Sequence, residues 1–152
     1  MSGLAYDAIS DTLYTVILYY TPRSDLARVK ADTASVSVVG KIADGLSLNL
    51  CWRECDGQLN SYLIHSSGSW DSPDKASIIT IDPNTVAMTT IFQTAYHTIM
   101  GLARRPGQDS YVSWINWTSH FYGEVNLEAH TITSLANSDP VGGRSHFRSD
   151  DL

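Results

Sequence analysis

Apolar and polar residues alternate in short runs over the first forty residues, and the runs come in a group of four. Such alternation is the mark of a half-buried strand, and it predicts strands over 3–6, 13–20, 26–31 and 35–42. The stretches between them break strands for chemical reasons. Ala8-Ile9-Ser10-Asp11 is a polar turn, Thr21-Pro22-Arg23-Ser24-Asp25 contains a proline, and Asp32-Thr33-Ala34 is short enough for a tight turn.

The same pattern then returns. Gly3-Leu4-Ala5 recurs as Gly101-Leu102-Ala103, Asp11 as Asp109 and Val29 as Val125, at offsets of 98, 98 and 96 residues. A degenerate copy lies between, with Leu50 for Leu4 and Leu59 for Leu13, both 46 residues later, and Ile79-Thr80-Ile81-Asp82 for Val29-Lys30-Ala31-Asp32, 50 later. Within it, Asp82-Pro83-Asn84-Thr85 is the clearest hairpin signal, because proline presets the backbone and the Asp side chain bonds back to it. A period of roughly 47 residues built from short strands predicts a propeller-type array. The units fall at about 3–44, 45–97 and 98–137, and 138–152 reads as a flexible C-terminal tail with little to bury. The middle unit carries a polar insertion, Ser66 to Lys75, of the kind in which binding function often resides.

These motifs resemble those of β-propeller repeat proteins whose blades read G-L-A-x-D, L-Y-x-V and L-x-x-I-D-P-x-T-G. The match is best at 3–16 and 79–85 and extends from Gly3 to about Asn137. Val86 stands where the motif has glycine, and Arg104-Arg105-Pro106 replaces an acidic segment. The resemblance implies radial blades around a channel and leaves the ligand open. Rings of this kind close with about four to eight blades, so three would leave an apolar face uncovered at each end. The expected fold is therefore all-β, three four-stranded blades that pair as a homodimeric six-bladed β-propeller.

Composition narrows the functional classes. A net charge of −6 and a pI near 5.1, with no Lys/Arg cluster, exclude a nucleic-acid partner on electrostatic grounds. The longest apolar stretch, Leu13 to Tyr20, is far short of the roughly 20 residues that span a bilayer, so no membrane partner is expected. With no basic flank or cleavage site of a signal peptide, the expected location is the cytoplasm. Cys51 and Cys55 are spaced neither as a redox motif nor as half a zinc site and read as two reduced thiols.

Catalytic signatures are missing from the sequence. The five histidines have no metal-binding spacing, and there is no nucleophile elbow, phosphate loop or dinucleotide fingerprint, so neither metal nor cofactor is expected. His130 is expected to be solvated in a turn. What recurs is an aromatic side chain after the second strand of each unit: Tyr20 with Arg23, Trp70, and Asn116 and Trp117 with His120. Equivalent loops share one face of a propeller, and an aromatic beside hydrogen-bonding groups holds a sugar or another small polar ring. Packing between blades is the competing role for Tyr20 and Trp117. A second candidate lies at the channel mouth, where Trp52, Arg53 and Glu54 meet Asp7, Arg104 and Arg105; surface salt bridges between blades are the alternative there. The leading expectation is a noncatalytic, lectin-like binding module for a small polar ligand or glycan. The others are a lyase or hydrolase with its site in the channel and a protein-interaction scaffold.

Overall fold

Thirteen strands and no helix make up the regular structure of the computed structural model among its described residues, which are 2–19, 23–47, 49–65, 76–94, 99–105, 110–115 and 121–137. The first sheet is a meander of β1 (Ser2–Asp7), β2 (Thr12–Leu18), β3 (Ser24–Lys30) and β4 (Ser35–Ala43). The third repeats it with β10 (Ile99–Arg104), β11 (Ser110–Ile115), β12 (Phe121–Asn126) and β13 (Thr131–Asn137). The middle sheet has β7 (Gln58–His65), β8 (Ala76–Ile81) and β9 (Met88–Thr94), but its first strand is split into β5 (Gly45–Ser47) and β6 (Cys51–Arg53), which both pair with β7. All pairings are antiparallel, as short loops between consecutive strands require.

The split has a local cause. In β1 and β10 the register slips at Gly3 and Gly101, both at positive φ (69° and 73°), a conformation that costs glycine little. Asn49 holds that position in the middle copy, and there the strand breaks. Position 3 also tolerates nothing larger for a second reason: a β-carbon on Gly3 would lie 2.5 Å from the Leu50 amide nitrogen. The backbones of the first and second sheets thus nearly touch at their first strands, β1 beside β6 and β6 beside β10.

The hairpin turns share one design. Residues 8–11, 31–34, 54–57, 83–86 and 127–130 each end on a residue at positive φ, namely Asp11, Ala34, Gly57, Val86 and His130. The residue just before the turn pins it where its side chain allows. Asp7 accepts from the Ile9 amide (2.9 Å) and the Ser10 hydroxyl, Asp82 from the amides of Asn84 (2.8 Å) and Thr85 (2.9 Å), and Asn126 from Ala129 (2.8 Å). His130 is exposed, as expected for a turn, and stacks on Phe92.

Strand pairing corrects the repeat alignment in one place. Leu13 faces Val29 and Leu59 faces Ile81, so Val29 corresponds to Ile81, 52 residues on, and Asp82 takes the place of Lys30. The sequence by itself aligns Asp82 with Asp32 because the I-D-P-x-T motif outweighs a two-residue slip. Asp32 sits inside its turn instead.

Two apolar layers hold the sheets together. Between the first and second, Ala5, Tyr14, Val16 and Leu26 meet Leu50, Leu59, Leu63, Ile79 and Ile81. Between the second and third, Tyr62, Ala76 and Ile78 meet Ile99, Leu102, Tyr111 and Val125. Alternation along β7 and β8 sends successive residues to opposite layers, as with Tyr62 and Leu63 and with Ile78 and Ile79, which are buried on opposite faces. Residues 66–75, the insertion, and 138–152, the tail, lie outside the described residues.

Candidate functional site

The residues expected at the channel mouth are engaged, but not with one another as a set. Asp7 closes its own turn, where the Ser10 hydroxyl and then the backbone amides hold its carboxyl below the usual carboxylate range. Trp52 stacks flat on Tyr14 across the first layer, with centroids 5.9 Å apart and planes 2° from parallel, and Arg28 lies over the same Tyr14 ring. Arg53 pairs with Asp56 at 3.3 Å and lines an open concavity of about 360 Å³ with Ile91, Leu127 and Glu128; neither Asp7 nor Arg104 reaches it. Arg104 crosses to Glu54 of the second sheet at 3.1 Å, and Arg105 meets Glu124 at 2.9 Å. Glu124 also accepts from Ser110 (2.7 Å), and that hydroxyl, followed by the Arg105 guanidinium, lowers its pKa. Of these ion pairs only Arg104–Glu54 joins two sheets; Arg53–Asp56 lies within the second and Arg105–Glu124 within the third.

Of the aromatic loop residues, Tyr20, Trp70, Asn116, Trp117 and His120 fall outside the described residues. Arg23 does not. It forks onto the buried Asp25 through Nε and Nη2, both at 2.8 Å, while its guanidinium lies 5.1 Å from the centre of the Tyr19 ring. Tyr19 donates its hydroxyl to the same carboxylate (3.0 Å). The Arg23 fork, with Tyr19 second, holds Asp25 below the ordinary carboxylate range. The result is a half-exposed arginine fixed on an aromatic face at the end of the β2–β3 loop.

A buried polar chain that crosses all three sheets went unread in the sequence. Ser24 Oγ donates to Gly45 O (2.7 Å) and accepts from Ser47 N (2.8 Å); Ser47 and Ser61 share a hydrogen bond, and Ser61 donates to Asn49 O. Asn49 then donates to Ile99 O in the third sheet and accepts from Tyr62 N, both at 2.9 Å. Nearby, Asn60 donates to the Tyr111 hydroxyl at 2.7 Å. The available signal was Ser47 and Asn49 alternating with leucines in Leu46-Ser47-Leu48-Asn49-Leu50. Cys51, half-buried, and Cys55, exposed in the β6–β7 turn, are both free, and burial raises the Cys51 thiol pKa.

The feature with most reach is the outer face of the first sheet. Strand pairing aligns two cross-strand rows on it, Leu4-Thr15-Ala27-Val38 and Tyr6-Leu13-Val29-Val36. The corresponding rows of the second sheet are Leu50-Ser61-Ile79-Thr90 and Trp52-Leu59-Ile81-Met88, and their inner members are packed on the first sheet. Position for position the chemistry is alike, yet Leu4 is 63% exposed and Leu50 only 4%. Tyr6 is half exposed, and Gly3, Leu4, Thr15, Val29, Ala34 and Val36 line a mostly apolar open concavity. A contiguous apolar surface of this kind on a sheet marks a contact site. Among the described residues there is no group of His, Cys, Asp and Glu positioned to hold a metal, and no helix long and apolar enough to cross a membrane.

No family model matches the sequence, and no curated protein matches it. Solved structures do resemble the fold. A structure from a nidogen/laminin complex superimposes with a TM-score of 0.61 at 11% identity, over 86% of this chain and 44% of the other. A ligand-bound variant of AtxE2 isopeptidase gives 0.60 at 10% identity over 90% of this chain, and the apo enzyme gives 0.55. The chain spans less than half the length of these structures, 44% and 20% of them. At such identities the likeness concerns the fold alone, and it is to a propeller-like all-β architecture of blade-like sheets.

Proposed function

We propose that this chain is a noncatalytic binding module of propeller architecture that works through sheet-face contact with protein. The observation that carries the reading is the Leu4–Tyr6 face: apolar and concave, with Leu4, Tyr6, Val36 and Val38 exposed around buried Thr15 and Ala27, whereas Leu50, Leu59, Ile79 and Ile81 in the same rows of the neighbouring copy are buried. Sequestering such a face from water is favourable by about 25 cal/mol per Å² of apolar surface, which is why its repeat equivalent is covered. The homodimeric six-bladed ring is one assembly that would cover it. Side-chain footprinting checks the reading: in native extract Leu4 and Tyr6 should be labelled several-fold less than in the dilute purified chain, with exposed Ile9 as reference. Equal labelling in both would sink it.

A second reading, the lectin-like site of the B–C loops, draws support from Arg23 held on the Tyr19 ring by Asp25. That arrangement presents a π face beside fixed donors, as sugar recognition needs. Its test is glycan binding by the wild type against Tyr20→Ala and Trp117→Ala, and unchanged retention in both would remove the loop face from consideration. The lyase or hydrolase reading has less to support it. Asp7, Asp25, Asp82 and Glu124 are all displaced toward the ionised form by turn or ion-pair partners, the opposite direction from a general acid.

A further inference from the structure

We infer that what covers the Leu4–Tyr6 face is the outer face of the third sheet of a second copy of this chain, each copy capping the other in one ring of six sheets. This rests on the reading that the face is covered in the working assembly, and it names the occupant and the register.

The occupant follows from the two sheet contacts already present. Each contact is directional. The face bearing Leu50 in the second sheet, and the one bearing Leu102 in the third, is seated on the opposite kind of face of the sheet before it. The outer face of the first sheet is a third instance of the seated kind. It therefore calls for a receiving face like that of Ala5, Tyr14 and Arg28. Among the described residues one receiving face is left open, where Ala103, Val112 and Glu124 hold the corresponding positions in cross-strand register. Ala103 is exposed, and Glu124 is satisfied within its own sheet by Arg105 and Ser110, so closing the contact would strand no charge.

Register is fixed by the same comparison. The Tyr14–Trp52 stack of the first contact maps onto Val112 of one copy and Tyr6 of the other. Contact between unlike faces is head to tail, and it closes after two copies when three sheets make half the ring; a different angle yields open filaments.

Light scattering over a dilution series of the purified chain decides the matter. The wild type should hold near twice 16.7 kDa. Tyr6→Glu and Val112→Lys should each raise the dissociation midpoint roughly tenfold or more, because each puts a charge in an apolar contact. Mixing the two variants should recover the dimer, since one junction then pairs Glu with Lys and the other is wild type. A wild-type monomer at every concentration, or mass that grows without limit, overturns the closed pair, while footprint protection in extract would still uphold the contact reading. A dimer indifferent to both substitutions, or one that mixing fails to recover, overturns the head-to-tail faces. Should either variant lose its cooperative melt, a short bismaleimide applied to Tyr6→Cys/Val112→Cys in a Cys55→Ser background replaces it: covalent dimer upholds the register and its absence overturns it.

Discussion

Val86 fills the space above Gly40. A β-carbon built on Gly40 would stand 3.0 Å from Val86 Cγ2, so the last residue of the β8–β9 turn and a glycine of β4 meet closely enough that an added methyl group would force Val86 to give way by a few tenths of an ångström. Val86 reaches there at φ 60°, in the left-handed region that a β-branched residue resists. Arg28 secures the same turn from the first sheet, donating to Asn84 Oδ1 at 2.8 Å. The departure from the motif glycine at this position is thus a packing contact between sheets.

Gly40→Ala should therefore destabilise the protein by about 1–3 kcal/mol, the range for overpacking against a side chain stiff at χ1. Val86→Ala in that background should restore much of the loss, giving a clear interaction energy in a double-mutant cycle. Urea denaturation of the four proteins reads it. Additive losses would mean that the two residues do not share one space.

Asn49 binds the second sheet to the third through Ile99 O and orders its own gap through Tyr62 N. Asn49→Gly restores the residue of the other two copies but removes both bonds. It should cost about 2–4 kcal/mol, close to the cost of Asn49→Ala, as read by urea denaturation. Stabilisation on restoring the glycine would show that the backbone, and not the amide, is what the position requires.

Gly3→Ala should be among the most damaging single substitutions, by roughly 3 kcal/mol or more, because positive φ and the Leu50 backbone both oppose a side chain. Gly101 has the same φ, but a β-carbon there meets nothing within 4 Å. Gly101→Ala should cost only about 1–2 kcal/mol. Comparing the two melts separates strain from collision.

Asp25 ties stability to pH. Its native pKa is lowered, so its contribution is complete above the unfolded carboxylate value of about 3.9 and is lost as pH falls through the lower native value. Wild type should exceed Asp25→Asn in stability at pH 7, and the gap should narrow on acidification below about pH 4. Denaturation midpoints at several pH values test it, and a gap that widens in acid would contradict the sign.

Glu54 and Arg104 make an ion pair whose carboxylate is largely exposed. Glu54→Gln should change stability by no more than about 0.5 kcal/mol. A thermal melt is sufficient to check it, and a larger loss would give this pair a weight its solvation does not.

Strand positions were legible in the sequence because each strand carries its own signal: side chains alternate with the pleat, and Asp7, Asp82 and Asn126 form turns by bonding within a few residues of themselves. The repeat at Gly3 and Gly101 was legible for the same reason, since a backbone conformation that glycine adopts at little cost is a local demand. The predicted strand over 35–42 and the observed β4, Ser35–Ala43, differ by one residue. Other features depended on partners far along the chain. Nothing near Asn49 in sequence says that its amide will meet Ile99, fifty residues away. Nor does the sequence around Trp52 distinguish a channel lining from a stack on Tyr14. The two-residue slip between Asp32 and Asp82 was settled only when Leu13 and Leu59 were seen opposite their partners. Leu4 and Leu50 make the division plain: the sequence by itself determined that both belong to one apolar row, but which of them is buried depends on whether another sheet stands in front of it, and only the tertiary arrangement decides that.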